Sequence, residues 1–128
     1  MSRDSVLLFV YAPTGSQKCP RYAFTGGNKN HGNVTTEYGR GASDISMELV
    51  EDGHQPGQPR RYSVFDITFA GPGQSQMSWR PQSKAHKAVI DNQATGPADV
   101  EYSVWIEDHQ TDDLFICHPM IKNVPPVN

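Results

Sequence analysis

Apolar and polar residues alternate with a period of two at several places in this chain. In the segment 100–106 every even-numbered residue is apolar, and in the segments 45–49 and 65–69 every odd-numbered residue is apolar. Because successive side chains of a β-strand point to opposite faces, each segment predicts a strand with one buried and one exposed face. Phe65, for example, is expected in the core. No stretch repeats its apolar residues at helical spacing, so the pattern predicts an all-β protein.

Further strands are predicted where apolar residues lie between turn residues. The run 6–11 is continuously apolar and predicts a central strand that is buried on both faces. Shorter strands are predicted at 33–38 (an edge strand), 76–79, 88–90 and 114–116, the last of which forms a hairpin with 100–106. Eleven glycines and ten prolines interrupt the 128 residues. About seven short strands predict one antiparallel β-sandwich domain over residues 1–128, immunoglobulin-like or cupredoxin-like in outline.

Charge and hydropathy narrow the class of protein. Eleven basic and fourteen acidic residues give a net charge of −3, too balanced for the basic face of a nucleic-acid-binding protein. No apolar run approaches the ~20 residues that span a bilayer, so no membrane contact is expected. The run at 6–12 is short for a signal peptide. We therefore expect a cytoplasmic protein, although export without a signal peptide would leave no trace in the sequence.

The C-terminal strand carries residues that suggest a metal site. Cys117, His118 and Met120, with the upstream His86, are the ligand types of a copper redox centre on a β-sandwich, and zinc also accepts Cys and His. Neighbouring residues of a strand point to opposite faces, so Cys117 and His118 are poorly placed to share one ion. We favour a structural strand with a buried cysteine and no cofactor. Copper or zinc binding is the alternative.

The two cysteines, Cys19 and Cys117, lie near opposite ends of the chain. In a reducing compartment both are expected to be free thiols. A disulfide between them would close a loop of most of the domain, which the chain-entropy model values at up to about 4.7 kcal/mol.

Charges of opposite sign occupy different segments. Residues 99–113 contain six acids and no Lys or Arg, whereas residues 53–98 contain five bases and two acids. If the two segments lie on different surfaces, an acidic hairpin of one subunit meets the basic loops of another and builds a head-to-tail homo-oligomer. If they are neighbours in the fold, they neutralise each other within one subunit. The sequence leaves both arrangements open.

Two loops are candidate binding surfaces. The long segment 13–43 is rich in glycine and is expected to be largely irregular, as functional loops often are. The segment 79–87 combines a tryptophan with basic residues, which suits an anionic small molecule or a glycan. The acidic turn 107–113 has oxygen ligands for a divalent cation but the composition of an ordinary turn. The predicted contact surface consists of Trp79, Arg80, Lys84, Lys87, Asp108, Asp112 and Asp113.

The last forty or so residues carry a family resemblance. A Val-Ile-Asp segment at 89–91 is followed by Val-Glu-Tyr-Ser-Val at 100–104, and the last strand ends in Cys-His-Pro-Met-Ile-Lys-Asn at 117–123. This order resembles small uncharacterised bacterial β-sandwich proteins whose last strand ends in an Asp-Pro-x-Ile motif. His118 stands where those proteins have the acid, so no role of that carboxylate carries over, and the resemblance implies no activity.

Motifs of catalysis are missing from the sequence. The chain has no G-x-S-x-G elbow, and the glycines at 26–27 lack the spacing of a P-loop. We therefore expect a protein that is not an enzyme. The sequence favours a small β-sandwich that binds a partner or assembles with itself, and the alternative is a metal-binding or copper redox protein.

Overall fold

The computed structural model describes residues 2–15, 20–29, 31–82, 86–118 and 120–126. They form ten strands and one 3-10 helix in the order β1 (Ser2–Tyr11), β2 (Arg21–Gly26), β3 (Val34–Glu37), β4 (Ser43–Glu51), β5 (Tyr62–Ala70), the helix (Gln74–Gln76), β6 (Met77–Pro81), β7 (Lys87–Asn92), β8 (Ala98–Asp108), β9 (Asp113–Cys117) and β10 (Met120–Val124). The described part of the chain contains no helix long and apolar enough to cross a membrane.

The strands form two sheets that pack face to face. Sheet A has the order β2-β1-β4-β7-β6, and sheet B has the order β3-β10-β8-β5, with β9 also pairing with β8. The predicted all-β sandwich is confirmed, with ten strands in place of about seven. The sheets are mixed and not purely antiparallel, because β1 runs parallel to β4 and β3 runs parallel to β10. The chain enters sheet B as β3 between β2 and β4, so β4 returns to sheet A in the direction of β1.

The core lies between the sheets and follows the period-two pattern. In β8 the even-numbered residues from Val100 to Ile106 are fully buried, as predicted, and they pack against Ile45, Met47 and Leu49 of β4 in one apolar cluster. Burying a large aliphatic side chain contributes about 1.5–3 kcal/mol, so these residues stabilise the sandwich more than any surface contact does.

Strand β1 is central in sheet A, but the prediction that both its faces are buried is wrong. Val6, Leu8 and Val10 are buried, whereas Leu7 is 38% exposed and Phe9 is half-buried. The continuous apolar run therefore hides an alternation, in which Leu7 and Phe9 point away from the core.

Strand β5 contains a β-bulge that overturns one sequence prediction. Val64 pairs with Ile106 and Asp66 pairs with Trp105, so Phe65 is an extra residue in the ladder. Ile67 is buried as predicted, but Phe65 is 55% exposed. An extra residue shifts the alternation by one position, and the pattern of apolar residues alone does not reveal it.

Strands β9 and β10 pair with β8 in one common register. Cys117 pairs with Val104 and Met120 pairs with Glu101, each three positions along its strand, so the register against β8 is the same on both sides of the break. The sequence places a proline, Pro119, between the two strands, and proline has no amide hydrogen to donate to a ladder.

A buried amide pair links the two sheets. Asn92 of β7 donates to the side-chain oxygen of Asn123 of β10 at 2.6 Å, and Asn123 donates to Asn92 and to Gln76 at 3.1 and 3.0 Å. Asn92 also accepts from the amide of Ala94. Because the polar atoms are paired, burial of these two asparagines costs little and fixes how the ends of the sheets meet.

Two buried tyrosines make a matched comparison. The Tyr102 hydroxyl donates to the Gly32 carbonyl oxygen at 2.7 Å, whereas the Tyr62 hydroxyl has no hydrogen-bond partner among the described residues. Tyr102→Phe should lower the free energy of unfolding by about 1–2 kcal/mol, because it leaves a buried carbonyl without a donor. Tyr62→Phe should leave stability unchanged or raise it. Urea unfolding of both variants measures this, and equal losses would contradict it.

Candidate interaction face

The outward side of sheet B carries an apolar cluster that the core does not use. We call it the outer B face and define it by four residues: Phe65, Trp105, Leu114 and Ile116. Phe65 is 55% exposed and Leu114 is 46% exposed, while Trp105 and Ile116 are half-buried. Single exposed apolar residues are common, but a cluster on one sheet face is a feature of interaction surfaces.

The strand register brings these side chains together. Ile116 is directly opposite Trp105, and Leu114 is opposite Glu107 on the same ladder between β8 and β9. The Trp105 indole nitrogen donates to the Thr68 hydroxyl of β5 at 3.0 Å, which holds the ring across the sheet. The odd-numbered residues of β8 were predicted to form a wet face, and the tryptophan among them was the signal that this face is not simply polar.

Two histidines lie beside carboxylates on the same side of sheet B. The His118 Nδ1 atom lies 3.1 Å from the Ser103 hydroxyl and 3.2 Å from a Glu101 carboxylate oxygen. At the other end of β8, the His109 Nε2 atom lies 2.7 Å from the Ser63 hydroxyl.

The group around His109 has the residue types of a hydrolytic triad but not the geometry of one. Glu107 lies 4.0 Å from His109 Nδ1, which is too far for a hydrogen bond that orients the ring. Ser63 is buried, so a substrate carbonyl has no approach to its hydroxyl oxygen. The contact therefore reads as a polar anchor of the turn after β8.

Two edges of sheet B are protected against pairing with another chain. At β3 the Asn28 side chain donates to the Thr35 carbonyl oxygen at 2.6 Å and accepts from the Thr35 amide at 2.8 Å, in place of a neighbouring strand. At β5 the bulge interrupts the edge, and the Asp66 carboxylate accepts from the Ile67 amide and from the Trp79 indole. Bulges and occupied backbone groups are common ways of preventing unwanted edge pairing.

The remaining edge of sheet B is β9, which pairs with β8 alone among the described strands. A cleft of about 340 Å³ separates it from the connection between β1 and β2, with Pro13 and Pro20 on one side and Leu114 and Phe115 on the other. Phe115 also packs edge-to-face on the core residue Tyr62 at a centroid distance of 5.9 Å. β9 is thus packed on its inner side, and no described strand pairs with its other edge.

A buried ion pair closes one end of this cleft. Arg61 donates to both carboxylate oxygens of Asp108, at 2.8 and 2.9 Å. Burial of Asp108 by itself raises the pKa of its carboxyl group. The hydrogen bonds from Arg61 and from the Gln110 amide, together with the Arg61 charge, lower the pKa by more than burial raises it, so the net pKa is below its ordinary value. The same pair raises the pKa of Arg61. Both groups are charged when the protein is folded at neutral pH.

The residues of the predicted metal site do not converge. Cys117 is fully buried in the core, where desolvation raises the pKa of its thiol to about 12, and it is a free thiol. His118 is exposed on the opposite face. His86 is buried beside β7 in sheet A, and nothing is described of the Met120 side chain. Among the described residues no three His, Cys, Asp or Glu side chains form a metal-binding group. Cys19 lies outside the described residues.

The residues of the predicted contact surface differ in how exposed they are. Trp79 is half-buried, packs against the core and donates from its indole nitrogen to Asp66 at 3.0 Å, and Asp108 is only 3% exposed. Asp112 is exposed in the turn before β9, and Asp113 is exposed at the start of β9. Arg80 and Lys87 are exposed on the outer side of sheet A, and Lys84 lies outside the described residues.

Three bases of the segment 53–98 form ion pairs within the subunit. Arg61 pairs with Asp108, Arg80 lies 3.2 Å from Asp91, and Lys87 lies 3.9 Å from Glu48. The basic segment and the acidic turn are neighbours at the Arg61 pair. Of the three pairs, only that of Arg61 and Asp108 joins the basic segment to the acidic segment 99–113, so the two segments neutralise each other at this one pair among the described residues.

The segment 13–43 is more regular than predicted, since it contains β2 and β3. The edge strand expected at 33–38 is confirmed as β3. A polar cleft of about 310 Å³ lies beside it, lined by Asp4, Asn28, Thr36, Glu37 and Arg40, among others. Burial raises the pKa of Asp4 there, and Arg40 pairs with Glu37 at 2.7 Å. Asn28 is committed to Thr35, so the cleft offers few free polar groups to a ligand.

No protein-family model matches this chain, and no curated protein is similar to it. The resemblance of the last forty residues and the immunoglobulin-like or cupredoxin-like outline therefore stay predictions. The function is therefore inferred from the geometry of the chain.

Proposed function

We propose that this chain is a non-enzymatic β-sandwich protein that associates with a second copy of itself through the outer B face and the β9 edge. The observation that carries the proposal is the coincidence of the two features. The most exposed apolar residues of sheet B, Phe65 and Leu114, lie on the sheet whose other edges are capped and whose β9 edge is open.

Two properties of this surface favour a protein partner. An apolar cluster on a sheet face gains stability when a second surface removes it from water, at about 25 cal/mol per Å². An uncapped edge strand offers backbone donors and acceptors that a second strand satisfies. Burial of the apolar cluster stabilises the contact and the backbone hydrogen bonds of the edge strand fix the orientation of the partner. A specific interface requires both.

A second copy is the partner that fits best. The β9 sequence Asp-Leu-Phe-Ile-Cys has apolar residues on both sides of Phe115, so an antiparallel copy places apolar side chains opposite apolar ones. Closed two-fold dimers are also the commonest soluble oligomers. Head-to-tail assembly through charges is less favoured, since three of the five bases, Arg61, Arg80 and Lys87, are paired within the subunit.

The test is the absolute mass in solution, measured by size exclusion with light scattering at low and high salt. We expect the wild-type protein to have twice the 14.2 kDa of one chain, and the dimer to persist in high salt because the contact is apolar. Leu114→Lys should give the monomer mass. Leu7→Lys, an equally apolar exposed position on the outer side of sheet A, should leave the wild-type mass unchanged.

Two results would overturn the proposal. One is a wild-type monomer at every protein concentration used. The other is an oligomer that dissociates in high salt and ignores Leu114→Lys, which would support the head-to-tail charge contact instead.

A further inference from the structure

On the side of β8 that β9 occupies, the unpaired edge of the described sheet is confined to β9, because the next strand, β10, is already paired. β10 is covered by β3 from Ile121 onward, and β3 is in turn capped by Asn28. β9 has neither cover nor cap among the described residues. The open edge is therefore limited to about the five residues of this one strand.

We propose that two copies join β9 to β9 in antiparallel register about a two-fold axis at Phe115, which makes sheet B continuous across the dimer. This inference rests on the proposed self-association and specifies its geometry. Leu114 of one copy then lies opposite the partner's Ile116, and Asp113 lies opposite the partner's Cys117.

The facing of the side chains restricts the register. Directly opposite residues of an antiparallel pair point to the same side of the sheet. In β9 the side chain of Phe115 points inward with Ile106, whereas Leu114 and Ile116 point outward with Glu107 and Trp105. A register that opposed Leu114 to Phe115 would place inward and outward residues together. A two-fold axis must therefore coincide with one residue: 114, 115 or 116.

The side chains that would face each other favour the two-fold axis at Phe115. An axis at residue 114 would oppose Phe115 to Asp113 and Ile116 to Asp112, which buries apolar side chains beside carboxylates. An axis at residue 116 would oppose Asp113 to Pro119, which has no amide hydrogen for the ladder. An axis at Phe115 opposes Leu114 to Ile116 twice, limits the pairing of carboxylates with apolar side chains to Asp113 and Cys117 at the strand ends, and keeps the pairing within the strand.

The described residues leave a cleft beside β9 and place no strand on its free edge. The cleft beside Leu114 and Phe115, about 340 Å³ in volume, separates the strand from Pro13 and Pro20. On the outward side, the paired strands extend the apolar row from Trp105 and Ile116 to the partner's Leu114. The outer B face thus becomes one surface of two subunits, and burial on pairing is greatest for Leu114, which is exposed in one subunit.

Disulfide cross-linking tests the register. In a Cys19→Ser background, Leu114→Cys and Ile116→Cys proteins are prepared separately, mixed, allowed to exchange subunits and oxidised mildly, with one of them carrying a mass tag. Cys117 serves as an internal control, because it is buried and its thiol is protonated at the pH of the reaction. We expect the mixture to give the tagged-untagged disulfide dimer in several-fold higher yield than either protein alone gives its own dimer.

The outcomes separate the register from the self-association. Dimers from Ile116→Cys alone would move the axis to residue 116, and dimers from Leu114→Cys alone would move it to residue 114; either overturns the register and keeps the proposed function. A dimer by light scattering with no cross-link in any sample overturns pairing through β9. A monomer by light scattering overturns the proposed function itself.

Discussion

Replacing Asp108 by alanine should lower the free energy of unfolding by about 3 kcal/mol at neutral pH. The carboxylate is 3% exposed and accepts two hydrogen bonds from Arg61 and one from the Gln110 amide. Its removal leaves the guanidinium without its partner in a partly buried position, and the desolvation already incurred is no longer offset. Chemical denaturation with both proteins in the same buffer measures the loss.

Asp91→Ala is the matched control, since Asp91 also pairs with an arginine, Arg80, but both side chains are well exposed. Exposed ion pairs contribute about 0–1 kcal/mol, so this variant should stay close to wild type. Equal losses in the two variants would show that burial of the Arg61 pair adds nothing.

The Asp108 contribution should also depend on pH. The pKa of its carboxyl group is lower in the folded protein than in the unfolded chain, where it is about 3.9. A depressed folded pKa stabilises the protein above the unfolded pKa, and this stabilisation is lost as the pH falls through the folded pKa. The stability difference between wild type and Asp108→Ala should therefore be constant above about pH 5 and shrink below about pH 4. A difference that grows on acidification would contradict this.

Leu8→Ala should cost about 3 kcal/mol, the second large effect. Leu8 is fully buried between the sheets in the central strand β1, and its truncation removes apolar contacts and leaves a cavity that close-packed neighbours fill only in part. Urea denaturation gives the value.

The neighbouring Leu7 supplies the control. Leu7→Ala changes the same side chain in the same strand, but Leu7 faces outward and is 38% exposed, so we expect a loss below about 1 kcal/mol. If the two variants lose equal stability, the outer side of β1 is covered in solution, which would be evidence for a contact of sheet A.

The sequence predicted the sandwich because its central strands follow the simplest rule. The segment 100–106 alternates without interruption, and all four apolar positions are buried. Strand β2 escaped prediction since only Phe24 of its six residues is buried, so an exposed edge strand shows no alternation. Strand β10 escaped because Pro119 reads as the end of a strand, whereas the register continues beyond it.

The candidate face could be predicted only in part. The opposite facing of Cys117 and His118 follows from the strand period and is confirmed. Trp105 interrupts a polar row and was a visible signal of the outer B face. Phe65 joins that face because of a bulge, which periodicity does not encode. Asp108 continues the buried even-numbered row of β8, but its partner Arg61 is distant in sequence and could not be predicted from that row.

The parallel pairing of β3 with β10 has a consequence for how the chain reaches this structure. Val34 lies beside Ile121, so this edge of sheet B forms only after most of the intervening chain has been ordered. Closing so long a loop costs conformational entropy before any stabilising contact between the two strands forms. Nonlocal pairing of this kind therefore slows folding. During synthesis from the N-terminus, β3 emerges long before its partner strand. The Asn28 cap, which needs only a neighbour seven positions away, is able to occupy the β3 backbone during that interval.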